Sequence, residues 1–218
     1  SSLDSDRLNN VSKSQNIHVI PNGVDIDYFY PRPEFGRSSQ LIFAGSLDWY
    51  PNIDAMLFFS REIWPLLKSR SPEMIMNVVG NSPPPELLEL AEHDDHFLVH
   101  GFVDDVREYI SRASIYVCPI RDGGGTKLKL LDAFSMGMAT IAHPVACEGL
   151  DITDGNNVIL AETAEEFVDR IIELSNNAEF RKIIGQNARN TAMEKYAFSK
   201  IGEDLSSLYQ EIAFYNSQ

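Results

Sequence analysis

The chain has 218 residues, 44% of them hydrophobic, which suits one α/β domain with a full core plus an appendage. Its 32 acidic against 18 basic residues leave a formal net charge of −14, a field that repels a nucleic-acid backbone or an anionic membrane and excludes general polyanion binding. Any phosphate it holds must be captured locally, by backbone N–H groups and a few cations.

The two cysteines, Cys118 and Cys147, have no metal-ligand spacing, are too few to staple the fold, and read as packing residues in a reducing cytosol. Five histidines are scattered without Cys or Glu companions, so no metal site is expected. No apolar run approaches a membrane span and the N-terminus is not signal-like, so a cytoplasmic domain without direct membrane contact is expected.

In chain order, polar residues 1–16 read as a helix end or linker, as if the chain began in mid-protein. Residues 17–20 predict a short strand, stopped by Pro21-Asn22-Gly23. From residue 41 a strand-then-helix unit repeats. Residues 41–44 form an apolar strand closed by Gly45, and a helix opens at Pro51, where the missing N–H has no partner to lose. Strands follow at 74–79, 97–100, 114–119, 139–142 and 158–161, with helices at 86–91, 104–111 and 126–136. Residues 164–175, 178–195 and 198–216 predict three further helices. The last carries a stripe of Phe198, Ile201, Leu205, Leu208 and Ile212 that buries itself on something, either this sheet or an absent domain.

Unbroken apolar strands alternating with helices imply an α/β fold. Its form is a doubly wound, Rossmann-like parallel sheet of about six strands, with helices on both faces and a helical C-terminal tail. The expected partition is a linker with its first strand at 1–37, a nucleotide-binding domain at 38–196 and a C-terminal helix at 197–218.

Ligands bind such sheets beyond the C-terminal strand ends, where strand order reverses. Three loops qualify. The first, from Gly45 and Ser46 to Asn52, has one glycine where a dinucleotide-binding enzyme would carry G-x-G-x-x-G, which argues against a dehydrogenase. The second, Gly101-Phe102-Val103-Asp104-Asp105, reads either as an aromatic and backbone wall for a nucleobase or as a glycine turn with an Asp helix cap.

The third loop is the strongest signal. Gly123, Gly124 and Gly125 stand between a buried strand and a helix, so uncovered N–H groups and the helix dipole make an anion cradle. Arg121, Lys127 and Lys129 are cations that suit a diphosphate. Gly125, Lys129 and Asp132 fall at i, i+4 and i+7, which would set Asp132 about two turns along the cradle's helix face, where a carboxylate suits ribose hydroxyls. The same residues read equally as a flexible loop with a surface Lys129–Asp132 pair.

Five pieces in order carry a resemblance. They are Val19-Ile20-Pro21-Asn22-Gly23-Val24-Asp25 with Phe29 and Pro31; Gly45-Ser46-Leu47 with Trp49 and Pro51-Asn52; Gly101-Phe102-Val103; residues 123–137; and Glu148-Gly149-Leu150. Together the chain resembles the C-terminal, donor-binding domain of a GT-B fold, family 4 type retaining glycosyltransferase (glycosyl transferase group 1).

The resemblance implies a hexosyltransferase of EC class 2.4, moving a sugar from a nucleoside-diphosphate sugar to a saccharide or lipid-linked acceptor, as in polysaccharide biosynthesis. It implies that Gly45, Ser46, Thr126 and the N–H groups of Lys127 and Leu128 hold the diphosphate, that Asp132 holds the ribose, and that Phe102 and Val103 face the base. Arg121 and Lys129 would supply catalytic charge, without metal or cofactor. An absent N-terminal domain would hold the acceptor and any membrane-peripheral contact, leaving this half inactive alone. The family's Glu-x7-Glu motif would begin at residue 124, which here is Gly124, and end at Asp132; Asp122, offset by two residues, would be the catalytic substitute for the missing carboxylate. Two other readings stand beside this: a catalytically degenerate scaffold of the same fold, or another Rossmann-type enzyme such as an epimerase or dehydrogenase.

Overall fold

A computed structural model describes residues 2–11, 17–32 and 39–215. The strands β1 (Gln40–Ala44), β2 (Ile75–Val79), β3 (Phe97–Gly101), β4 (Ile115–Cys118), β5 (Ala139–Ala142) and β6 (Ile159–Leu160) form one sheet. Their order is β3-β2-β1-β4-β5-β6, with every pairing parallel. Residues of β4 and β5 are buried throughout, as strands covered on both faces must be.

Helix α1 (Ser2–Val11) precedes the sheet. Helix α2 (Tyr50–Phe58) continues through a π-helical turn, Phe59–Ile63, into α3 (Trp64–Arg70). Then come α4 (Pro85–His93), α5 (Val106–Arg112), α6 (Leu128–Ser135), α7 (Ala164–Asn176), α8 (Ala178–Thr191) and α9 (Phe198–Tyr215). Helices α2, α3, α4 and α7 cover one face of the sheet, and α5, α6 and α8 the other. Local chemistry starts these helices: prolines in the first turns of α2 and α4, a reciprocal Thr163–Glu166 capping box at α7, and Asn177 accepting from the Phe180 N–H at α8. Phe59, Trp64 and Phe97 stack into one aromatic cluster of the core.

Strand order reverses between β1 and β4, whose ladder has only two pairs, Leu41 with Ile115 and Ile42 with Tyr116. Beyond them the strands part, and the buried Tyr116 hydroxyl takes over the ladder's role. It donates to the Ala44 carbonyl at 2.9 Å and accepts from the Ala44 N–H at 3.3 Å. Tyr116→Phe strips both partners from a buried peptide group, so stability should fall by about 1–3 kcal/mol. A urea-unfolding midpoint equal to that of the parent would contradict this account.

One expectation needs correction. Residues 17–20 form no strand, because no ladder partner runs beside them; further on, Val24 makes one isolated bridge, to Ala197. Among the described residues the apolar stripe of α9 is partly open: Ile201 and Leu208 are half-buried, while Phe198 and Ile212 are exposed. Both cysteines are buried and free. Among the described residues no helix is long and apolar enough to cross a membrane, and no cluster could hold a metal ion.

Candidate functional site

The crevice where β1 and β4 part is flanked by the Gly45 loop and the start of α6. The Gly45 loop is tied down at both ends: the Gly45 N–H donates to the Val79 carbonyl at 2.9 Å and the Leu47 N–H to the Asn81 carbonyl at 3.0 Å. The Ser46 hydroxyl lies 2.5 Å from Asp48 Oδ1 and from Asn81 Oδ1. Facing it, Gly123 and Gly125 have φ of +91° and +81°, the left-handed region that favours glycine.

Helix α6 begins at Leu128, with Lys127 before it and no side chain capping it. Gly125 therefore lies outside the helix, and Asp132 stands about one turn in rather than two. Among the described residues no acceptor takes the Lys127 or Leu128 N–H. These two N–H groups are the ones the resemblance assigns to the diphosphate, whereas within the glycine run the Gly123 N–H is taken by Asp122.

The three cations expected at the cradle separate. Arg121 is drawn along α2, where it makes a bidentate ion pair with Asp54 at 2.9 and 3.2 Å and lies over the Phe58 ring. Lys127 folds back on its own loop, donating to the carbonyls of Gly123, Gly124 and Gly125. Asp122 is exposed and accepts from the Gly123 N–H at 2.6 Å. Only Lys129 points into the crevice, donating to Asn52 Oδ1 and lying over the Phe43 ring.

Burial governs the electrostatics here. It pulls the Lys129 amine down to about 8 and pushes the Asp132 carboxyl up to about 6, the latter opposed by the Lys129 charge. They act on each other through space, but the Lys129 amine bonds to Asn52 and not to Asp132, so the surface pair considered from sequence does not form. Asn52 is the residue that sequence reasoning left without a role. It is 5% exposed, and its Nδ2 donates to the Ser46 carbonyl at 2.6 Å. The signal lay in a polar residue following Pro51 on a helix face that is otherwise apolar.

At the second loop the Asp helix cap is present. Asp105 caps α5, accepting from the Arg107 N–H at 3.0 Å, and its ion pairs with Arg107 and Arg32 bring its carboxyl down to about 2. Phe102 stays 77% exposed, beside a cleft of about 420 Å³ that is also lined by His100, Val103 and Tyr109. Asn77 donates its Nδ2 to the Leu41 carbonyl, so its Oδ1 faces His100 as an acceptor. His100 must then donate from Nε2, leaving Nδ1 as the ring's acceptor.

Residues 38–177 match the family described as glycosyl transferases group 1. The chain belongs to that family. It is 26% identical over 223 residues to an uncharacterised glycosyltransferase of Methanocaldococcus jannaschii, covering 94% of this chain and 55% of that protein. Its fold matches TarM of S. aureus with a TM-score of 0.81 at 19% identity, over 96% of this chain and 42% of that one. It also matches a pneumococcal O-GlcNAc transferase, GtfA, solved with UDP and GlcNAc, with a TM-score of 0.74 at 18% identity, over 95% and 44% of the two chains. The architecture is thus that of the C-terminal domain of a GT-B glycosyltransferase. The chain spans about half the length of the curated relatives it matches along most of its own length.

Proposed function

We propose that this domain binds the nucleoside-diphosphate sugar of a family 4 type, retaining hexosyltransferase. The observation that carries the reading is the Lys129 ammonium, half-buried in the β1/β4 crevice without a carboxylate on it and flanked by the uncovered N–H groups of Lys127 and Leu128. Burying a cation that no carboxylate touches costs stability unless an anion comes to meet it. A diphosphate lying over the α6 N-terminus would receive the Lys127 and Leu128 N–H groups, the helix dipole and the Lys129 charge together. Asp132, one turn further, would accept from the ribose hydroxyls, and Phe102 would lie along the base. GtfA, of the same fold, was solved with UDP and GlcNAc, which agrees with this choice of ligand.

Chemistry in this reading is leaving-group stabilisation. As the bond from the anomeric carbon to the diphosphate breaks, negative charge grows on the departing phosphate, and donors already aimed there lower the barrier. No metal is needed if Lys129 and the amides carry that charge. The acceptor, a saccharide or lipid-linked saccharide, would be brought by an N-terminal domain, with the whole working in the cytoplasm. Calorimetry with UDP, GDP and ADP tests the reading. One of the three should bind with release of heat, the domain alone should bind weakly, and sugar transfer should require the N-terminal domain. Transfer by residues 1–218 alone would overturn the division of labour.

Gly124 favours a second reading. No atom lies within 4 Å of where its side chain would start, so the position that carries the family motif's first glutamate has neither a carboxylate nor a neighbour. A scaffold that has lost catalysis would give this. Its mark would be failure of the intact protein to bind any of the three nucleotides.

A further inference from the structure

No carboxylate bonds to Lys129, and Asp132 acts on it only through space. The groups around it are the Phe43 ring from β1, the Cys118 thiol from β4, Asn52 from α2, and Lys127 and Asp132 from its own segment. Cys118 is neutral through the accessible pH range, because burial lifts its thiol to about 11. The Gly45 backbone closes the remaining side: a side chain there would overlap the ammonium and stand 3.0 Å from Lys129 Cε. Asn52 alone touches both partners, its Oδ1 accepting from Lys129 and its Nδ2 donating to the Ser46 carbonyl of the Gly45 loop.

The choice of a neutral amide is informative. A carboxylate at 52 would hold an ammonium more strongly, but it would cancel the charge that a bound anion needs. An apolar side chain would leave the amine without an acceptor. We propose that Asn52 is a positioning residue whose neutral amide fixes the Lys129 ammonium against the Gly45 loop with its full charge facing the crevice, ready for the donor diphosphate. This rests on the donor-site reading. It adds that affinity is set through residue 52, on a helix that need not touch the phosphates.

Two variants of the intact protein separate this role from a merely structural one. Asn52→Asp and Asn52→Leu both lose the bond to the Ser46 carbonyl, so a structural role moves them together. A role exercised through Lys129 moves them apart. With UDP, or whichever of the three nucleotides binds, the parent's affinity should be full below about pH 8 and fall above it as Lys129 loses its proton. In Asn52→Asp that alkaline fall should move to higher pH, with affinity at pH 7 roughly tenfold weaker because the charge is partly cancelled. In Asn52→Leu the fall should move to lower pH. Lys129→Met should show no such fall.

The same opposed shifts should appear without nucleotide, in the ¹³C NMR titration of the Lys129 amine after reductive ¹³C-methylation. Shifts in one direction, or none, in that titration overturn the assignment of Asn52. Opposed amine shifts with no nucleotide bound by parent or variants would keep the Asn52–Lys129 coupling, overturn its service to a diphosphate, and sink the donor-site reading with it.

Discussion

Replacing Lys129 with Met should leave the chain more stable at neutral pH and reduce nucleotide affinity on the order of a hundredfold, the scale of a lost charged hydrogen bond in a desolvated site. The stability gain follows from proton linkage. The folded amine sits near 8, below its ordinary value of 10.5, so the unfolded chain binds the extra proton between those values. Holding the ammonium in the folded state therefore costs stability below about pH 8, and the cost is relieved as pH rises through the window from 8 to 10.5. At pH 7 the shift corresponds to about 3 kcal/mol, and leaving Asn52 Oδ1 unpaired and Asp132 without the Lys129 charge takes back about 2 kcal/mol of it. The variant should be ahead by about 1 kcal/mol in urea unfolding at pH 7 and lose that lead by pH 10.5. A Met variant that binds nucleotide as the parent does would remove the cation from the donor site altogether.

Asp132 behaves as the acidic counterpart. Its folded carboxyl is raised to about 6 from 3.8, so the folded state holds the extra proton between those values and stability falls as pH rises through that window. Lys129 and Asp132 thus both work against the fold at pH 7, within one turn of one helix. The donor-site proposal accounts for that cost as the state of groups that meet their charge partners in a bound ligand.

The sheet was legible in the sequence because its strands are fully covered. Residues 41–44, 115–118 and 139–142 read as unbroken apolar runs, and no other local structure explains runs so short, bounded by glycine and proline. The segment at 17–20 has the same local look and forms no strand, since a strand needs a neighbour and composition does not show one. The glycine turn before a helix was legible as well, but its helix starts at Leu128, because the chain is still extended at Lys127.

What could not be read was the fate of the cations. Arg121 pairs with Asp54, 67 residues away, and Lys129 with Asn52, 77 residues away. Both partners lie on α2, which passes beside the crevice between β1 and β4, a neighbourhood that sequence distance does not show. Spacing along one helix suggested Lys129 with Asp132; desolvation and a distant amide decided otherwise. The Asp105 cap was legible from its place before a helix, whereas its second partner, Arg32, comes from a segment 73 residues earlier.

The second large effect is expected at Gly80, which follows β2 and lies outside the set of residues assigned to the donor. Its N–H donates to the Gly101 carbonyl at 2.9 Å, which fixes its own backbone. A Cβ there would overlap the Gly45 carbonyl oxygen and stand 2.9 Å from its carbon. Neither side can yield cheaply, because the Gly45 N–H is bonded to Val79 and the Leu47 N–H to Asn81, so the Gly45 loop is clamped to the segment that would push it. Gly80→Ala should therefore cost about 3 kcal/mol, the upper range for overpacking, and more if the β1–β2 ladder gives way. What relaxation does occur must move the Gly45 backbone, against which Lys129 and Asn52 are set, so nucleotide affinity should fall along with stability. Gly124→Ala is the matched control: its Cβ would meet nothing within 4 Å, and unfolding should shift by no more than about 0.5 kcal/mol. Equal unfolding midpoints for the two variants would show that the Gly45 loop is softer than its hydrogen bonds imply, and that the crevice is shaped by its ligand rather than by β2.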